Sequence, residues 1–152
     1  MDPLLALAVI VGLVVVATLV GLLWRARNGR VRDASGVATL QQTGLKSSLE
    51  DDAQFGSDAT IVQFSTEFCG PCRIAERVLS GVAAQRDGIA YLDVDLTTRP
   101  QLATEFGVLQ TPTILLVDAA GGIRSRIVGV PKAHEVTARL DEITKENHVV
   151  VG

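Results

Sequence analysis

The run Thr60-Ile61-Val62-Gln63-Phe64-Ser65-Thr66-Glu67-Phe68-Cys69-Gly70-Pro71-Cys72-Arg73 decides how the chain reads. Its first six residues are an apolar, β-like stretch. Its last six hold both cysteines of the protein, two residues apart. After them Ile74, Val78, Leu79 and Val82 recur at spacings near three and four, which predicts a helix. Cys69 is therefore expected where a strand turns into a helix. The first turn of a helix presents unpaired N–H groups and the positive end of the macrodipole. A thiolate is stabilised there, so a depressed Cys69 pKa is expected. The thiolate is the nucleophile of thiol–disulfide exchange. Cys72, one turn on, is placed to attack a mixed disulfide held at Cys69. Pro71 suits an early helical position, with its fixed φ and no N–H to lose, and Arg73 adds positive charge. The pair reads as a redox dithiol, Cys69 attacking and Cys72 resolving.

Two other readings of the pair are weaker. A CxxC can be half of a zinc site, but structural zinc takes four ligands. The chain has no second CxxC, and His134 and His148 stand at no ligand-like spacing, so no metal is expected. A purely structural disulfide would close a loop over two residues, which constrains the unfolded chain little.

Outward from this centre, the 152 residues suggest one domain with an appendage. The chain is 47% hydrophobic, with mean hydropathy +0.32. One segment carries the excess: Leu4 to Leu23 is apolar throughout and uncharged. Twenty or so residues at about 1.5 Å each match a bilayer core of about 30 Å, and Trp24 follows as an interfacial aromatic. A buried helix this apolar on every side does not suit so small a domain. A cleaved signal peptide would begin with a basic segment, whereas only Met1-Asp2-Pro3 precedes the run. The expectation is a retained anchor over 1–24. Arg25, Arg27, Arg30 and Arg32 follow it, in a basic juxtamembrane linker over 25–36. Flanking positive charge stays cytoplasmic. That predicts a single-pass protein of the cell membrane with its main domain on the cytoplasmic side. Net charge −3 and 4% aromatics give no nucleic-acid signal.

An α/β domain is expected over 37–147, with a tail over 148–152. Val37 to Gln42 reads as a first strand, and Leu45 to Phe55 as a short helix or loop with a solvated acidic face. Thr60 to Ser65 is a central strand and Pro71 to Gln85 a helix. Ile89 to Asp95 is another strand. Its acids Asp93 and Asp95 could form an acid–base pair, but at a strand exit they read more readily as solvent-facing or capping. Thr97 or Thr98 and Pro100 open a helix that stops at Gly107. Pro112 heads an apolar strand, Gly121-Gly122 turns the chain, and Ile123 to Val128 returns, as in a β-hairpin. Val136, Leu140 and Ile143 mark a last amphipathic helix over 132–147.

This order, with Cys69-Gly70-Pro71-Cys72 at a strand-to-helix turn and Thr111-Pro112-Thr113 opening the hairpin, resembles the thioredoxin family. The resemblance implies a central mixed sheet flanked by helices. It also implies that Pro112 is a cis-proline against the cysteine pair, and that Thr111 and Gly129 border the substrate groove. There the main chain at Thr111 would pair with an extended substrate segment. The redox-active disulfide Cys69–Cys72 would serve without a cofactor. Four positions depart from the family pattern. Phe68 stands for tryptophan, Gln63 for a buried aspartate, Tyr91 for that aspartate's lysine partner, and Thr111 for isoleucine. Gln63 cannot titrate, so the expectation is slower resolution, with the Cys72 proton left to water or substrate.

The function expected is a membrane-anchored thiol–disulfide oxidoreductase that reduces protein disulfides. Its partners would be disulfide-bearing substrate proteins, an electron-donating reductase or dithiol, and the membrane through residues 4–24. The alternatives are an extracytoplasmic relative serving thiol maintenance or cytochrome maturation, and a non-catalytic adaptor with the same fold.

Overall fold

In a computed structural model, the described residues are 3–27, 31–33 and 54–150. The expected strand over 37–42 and most of the expected segment over 45–55 lie outside them. Five strands form one sheet in the order β1-β5-β4-β2-β3, from β1 (Val31–Asp33), β2 (Ala59–Ser65), β3 (Ile89–Asp95), β4 (Thr113–Asp118) and β5 (Ile123–Val128). β2 pairs in parallel with β3, and the other pairings are antiparallel. Among the described residues, four helices accompany them: α1 (Pro3–Arg27), α2 (Gly70–Ala84), α3 (Gln101–Glu105) and α4 (Ala133–Val150).

Every residue of β2 is buried, as suits an interior strand covered on both faces. The two-residue period of a strand then divides its side chains. Ala59 and Ile61 face Ala75, Leu79 and Val82 of α2 and Val136, Leu140 and Ile143 of α4. Val62 and Phe64 face Val94, Leu102 and Phe106 on the other side, where the Phe64 and Phe106 rings lie 5.4 Å apart. β4 alternates in the same way, Ile114 and Leu116 to the first layer, Leu115 and Val117 to the second.

Local chemistry sets the boundaries. Gly107, at φ +59, ends the chain after α3, and Gly121, at φ +87, turns the hairpin between β4 and β5. Asp118 closes that turn by accepting the amide of Gly122 at 2.7 Å. Asp95 takes the capping role: its carboxylate accepts the amide of Thr97 at 2.8 Å and its carbonyl accepts the Thr98 hydroxyl at 3.1 Å. Neither threonine caps α3, whose first flanking residue is Pro100.

Three expectations are corrected. The N-terminal run does form a helix, α1, but a membrane span over Leu4–Leu23 does not stand. Among the described residues, no helix is long and apolar enough to cross a membrane. The single-pass cell-membrane location, and the membrane as a partner through residues 4–24, fall with it. Second, β1 comes from within the stretch read as a linker, where Val31, Arg32 and Asp33 pair with Ile127, Arg126 and Ser125. Third, the buried stripe of α2 is Cys72, Ala75, Leu79, Val82 and Ala83. Ile74 is 50% exposed, so the helix is turned about one residue from the face its largest side chains marked.

Candidate active site

The end of β2 delivers the chain to the start of α2. Cys69 is the N-cap of α2, with extended backbone at φ −103 and ψ 96, and Pro71 lies in the first turn. This is the placement its missing N–H permits. The amide of Cys72 donates to the Cys69 sulfur at 3.2 Å, so an orphan donor of the first turn points at that sulfur. Both cysteines are joined in a disulfide, with Cα atoms 5.2 Å apart. Cys69 is 9% exposed and Cys72 4%. Phe68, 90% exposed, stands beside them, and Gly70, Pro71 and Arg73 form the open rim of the turn.

The second wall is the entrance to β4. The Thr111–Pro112 peptide bond is cis. The Pro112 carbonyl accepts the amide of Gly129 at 2.8 Å, and Gly129 holds φ +90, a backbone region that favours glycine. The three groove positions read from the sequence, Thr111, Pro112 and Gly129, thus belong to one corner. The Thr111 hydroxyl lies 3.4 Å from that of Thr66, three residues before Cys69. This contact ties that corner to the loop carrying the dithiol. Leu109, 97% exposed, flanks the same corner.

Behind Cys72 lies a cleft of about 200 Å³, whose lining includes both cysteines, Gln63, Ser65 and Asp93. Gln63 is 1% exposed, and its Nε2 donates to the Cys72 carbonyl at 3.1 Å. Its Oε1 is buried with no hydrogen-bond partner among the described residues, and so is the Tyr91 hydroxyl. Both side chains are the departures from the family's aspartate and lysine. Burial, then the carboxylates of Asp93 and Glu76, push the Tyr91 hydroxyl above its ordinary range.

Asp93 is the residue whose place in the site was not read from the sequence. It pairs in register with Gln63 across the parallel β2–β3 ladder. Its Oδ2 accepts the Ser65 hydroxyl at 2.8 Å. As a residue it is open to solvent, yet the cleft walls crowd its carboxyl. Burial holds that carboxyl above the usual carboxylate range; the Ser65 hydrogen bond opposes the shift, and Glu76 and Asp95 add to it. The signal that could have found it is the alternation of β3 combined with a parallel register, which only the tertiary fold supplies.

Among the described residues, no group of three or more His, Cys, Asp and Glu could hold a metal ion. His134 is exposed and remote from the dithiol's lining.

A redox disulfide at a helix N-terminus, faced by a cis-proline on a mixed α/β sheet, defines a thioredoxin-fold protein. The thioredoxin family model matches residues 36–142. Thioredoxin H2 of Arabidopsis thaliana is 35% identical over 72 residues, 47% of this chain and 53% of that protein. The bifunctional thioredoxin reductase/thioredoxin of Mycobacterium leprae is 34% identical over 85 residues, 51% of this chain and 18% of that one. The match thus spans about half the length of the first relative and under a fifth of the second. In structure, chloroplastic thioredoxin z superposes with a TM-score of 0.52 at 26% identity, over 57% of this chain and 79% of that chain. The chain belongs to the thioredoxin family, and its two cysteines form a CxxC disulfide, Cys69–Cys72.

Proposed function

We propose that the protein reduces disulfides in protein substrates, with Cys69 as the attacking thiol and Cys72 as the resolving one. The observation that carries this reading is the amide of Cys72 aimed at the Cys69 sulfur from the first turn of a 15-residue helix. In the reduced protein that donor and the helix dipole favour the Cys69 thiolate. Cys69 attacks a substrate disulfide and forms a mixed disulfide, releasing the first substrate thiol. Cys72 then attacks the Cys69 sulfur and releases the second. Two electrons pass from the dithiol to the substrate, and Cys69–Cys72 is left as the disulfide. Thr111 and Gly129, on either side of Pro112, border the groove, where an extended substrate segment pairs with the Thr111 main chain. Phe68 and Leu109 supply exposed apolar surface beside it. A thioredoxin reductase or another dithiol restores the pair. The relative whose name joins reductase and thioredoxin in one chain supports the first of these donors.

Insulin reduction by the full chain, with a small dithiol as electron source, tests the reading. Wild-type protein should accelerate insulin precipitation, and Cys69→Ser should return the rate to that of the small dithiol alone. Equal rates for wild type and Cys69→Ser would instead support an adaptor whose groove binds without chemistry.

A further inference from the structure

The family's buried carboxylate is missing at Gln63, which cannot titrate. The resolving step still needs the Cys72 proton removed, because the thiolate is the attacking species. The cleft behind Cys72 contains another carboxylate. Asp93 lies opposite Gln63 in the β2–β3 register and shares the cleft with Cys72. The Ser65 hydroxyl, 2.8 Å away, fixes one of its oxygens. Gln63, 1% exposed, lines the same cleft, and its Oε1 is buried with no hydrogen-bond partner among the described residues. The amide that replaced the acid thus holds the Cys72 main chain through Nε2.

Building on the assignment of Cys72 as the resolving thiol, we propose that Asp93 accepts the Cys72 proton, so that the proton-transfer group has moved from the central strand to its parallel neighbour. The Cys72 S–H bond breaks and its proton passes to the Asp93 carboxylate through the cleft. The Cys72 sulfur bonds to the Cys69 sulfur. The bond from Cys69 to the substrate sulfur breaks, its electron pair leaving on the substrate. That thiolate takes up a proton, returned by Asp93 through the cleft or by solvent. No oxidant beyond the substrate disulfide is needed.

The surroundings suit such a relay. Glu76 of α2 and Asp95 of β3 face the carboxyl with like charge, Glu67 lies on the loop before Cys69, and Arg73 is the cation of the cleft lining. Tyr91, two residues back on β3, is the remaining titratable neighbour. Burial and the like charges favour the protonated form, and a general base works best when its pKa approaches the operating pH. Solvent access at the mouth lets the proton exchange between turnovers.

Stopped flow with an equimolar aromatic disulfide separates the two steps: one coloured thiolate leaves on attack by Cys69, and a second on resolution by Cys72. The full-length reduced chain is followed from pH 5 to pH 9. Asp93→Asn keeps an acceptor for Ser65, and an unchanged first release reports that it folds. Its second release should slow by about tenfold or more near neutral pH and lose its inflection, within the range of general-base effects. Asp93→Glu should restore the inflection. Glu76→Gln should lower the inflection without removing it; its disappearance in Glu76→Gln rather than in Asp93→Asn would overturn the assignment. Superimposable second-release profiles for wild type and Asp93→Asn would overturn the proposal alone. No first release from wild type would overturn the functional reading and the proposal with it.

Discussion

The two cysteines of the dithiol have Cα atoms only 5.2 Å apart, yet their surroundings differ in kind. Cys69 is served by the backbone. It caps α2, and its sulfur accepts a main-chain amide rather than a side-chain donor. Cys72 is served by side chains. It is 4% exposed and backed by Gln63, Ser65 and Asp93, all open to replacement. The attacking thiol's activation is therefore built into the fold, because any helix starting at that point provides it. The resolving thiol's proton path is built from particular residues, and there the chain departs from its family.

The largest expected effect breaks the comparison outright. Cys72→Ser leaves the backbone side intact and removes the other, so substrates should accumulate as mixed disulfides at Cys69. Mass spectrometry of the trapped adducts should find them on Cys69, with insulin turnover down by at least about a hundredfold. Free Cys69 after incubation with a disulfide substrate would mean that the amide side alone does not activate the thiol.

A smaller effect sharpens it. Gln63→Asp puts a carboxylate back at a site that is 1% exposed, facing Asp93 across the ladder. Burial and the like charge raise its folded pKa above the unfolded value. Such a group destabilises the fold once it ionises, and the cost disappears as pH falls below the unfolded value. Denaturation at pH 8 should show a loss of about 1–3 kcal/mol that shrinks towards pH 4, as for a poorly compensated buried charge. Equal losses at both pH values would show that the penalty comes from shape, not charge.

The smallest effect concerns Asp93 itself. Its carboxyl is already held above the ordinary value of 3.8, mainly by burial. The folded state therefore binds that proton more tightly than the unfolded chain does. Its ionisation cost is fully present above the folded pKa and gone below about 3.8. Asp93→Asn should stabilise the fold slightly at pH 7, by less than about 1 kcal/mol because the residue is open to water, and not at all near pH 3, as read by denaturation at the two pH values. A stabilisation as large at pH 3 as at pH 7 would disconnect the effect from the charge.

The parts of this molecule that could be read in advance are those written in local chemistry. The apolar run of β2, the proline heading β4, the glycines of the hairpin and the CxxC at a strand-to-helix turn each announce themselves within a few residues. The missed features depend on neighbours distant in the chain. Val31-Arg32-Asp33 has no strand pattern of its own and joins the sheet only because β5 offers an edge. The face of α2 was misjudged because Ile74 outranks Ala75 in hydrophobicity, while the space beneath α2 takes the small residue and the sulfur. At Leu4–Leu23 the helix was legible and its span was not. At the site, the loss of a carboxylate at Gln63 was plain from the sequence. That Asp93 stands across from it was not, since a parallel register is set by the crossover that joins the two strands.

β2 is flanked by hydrogen-bonded neighbours on both edges and is enclosed along its whole length. The amides of Ile61 to Phe64 should accordingly be among the last in the chain to exchange with deuterated solvent, opening only when the whole domain does. The loop bearing the reactive sulfurs hangs from the end of that slowest segment. Local breathing elsewhere can then admit and release a substrate strand without loosening the mount on which the chemistry depends.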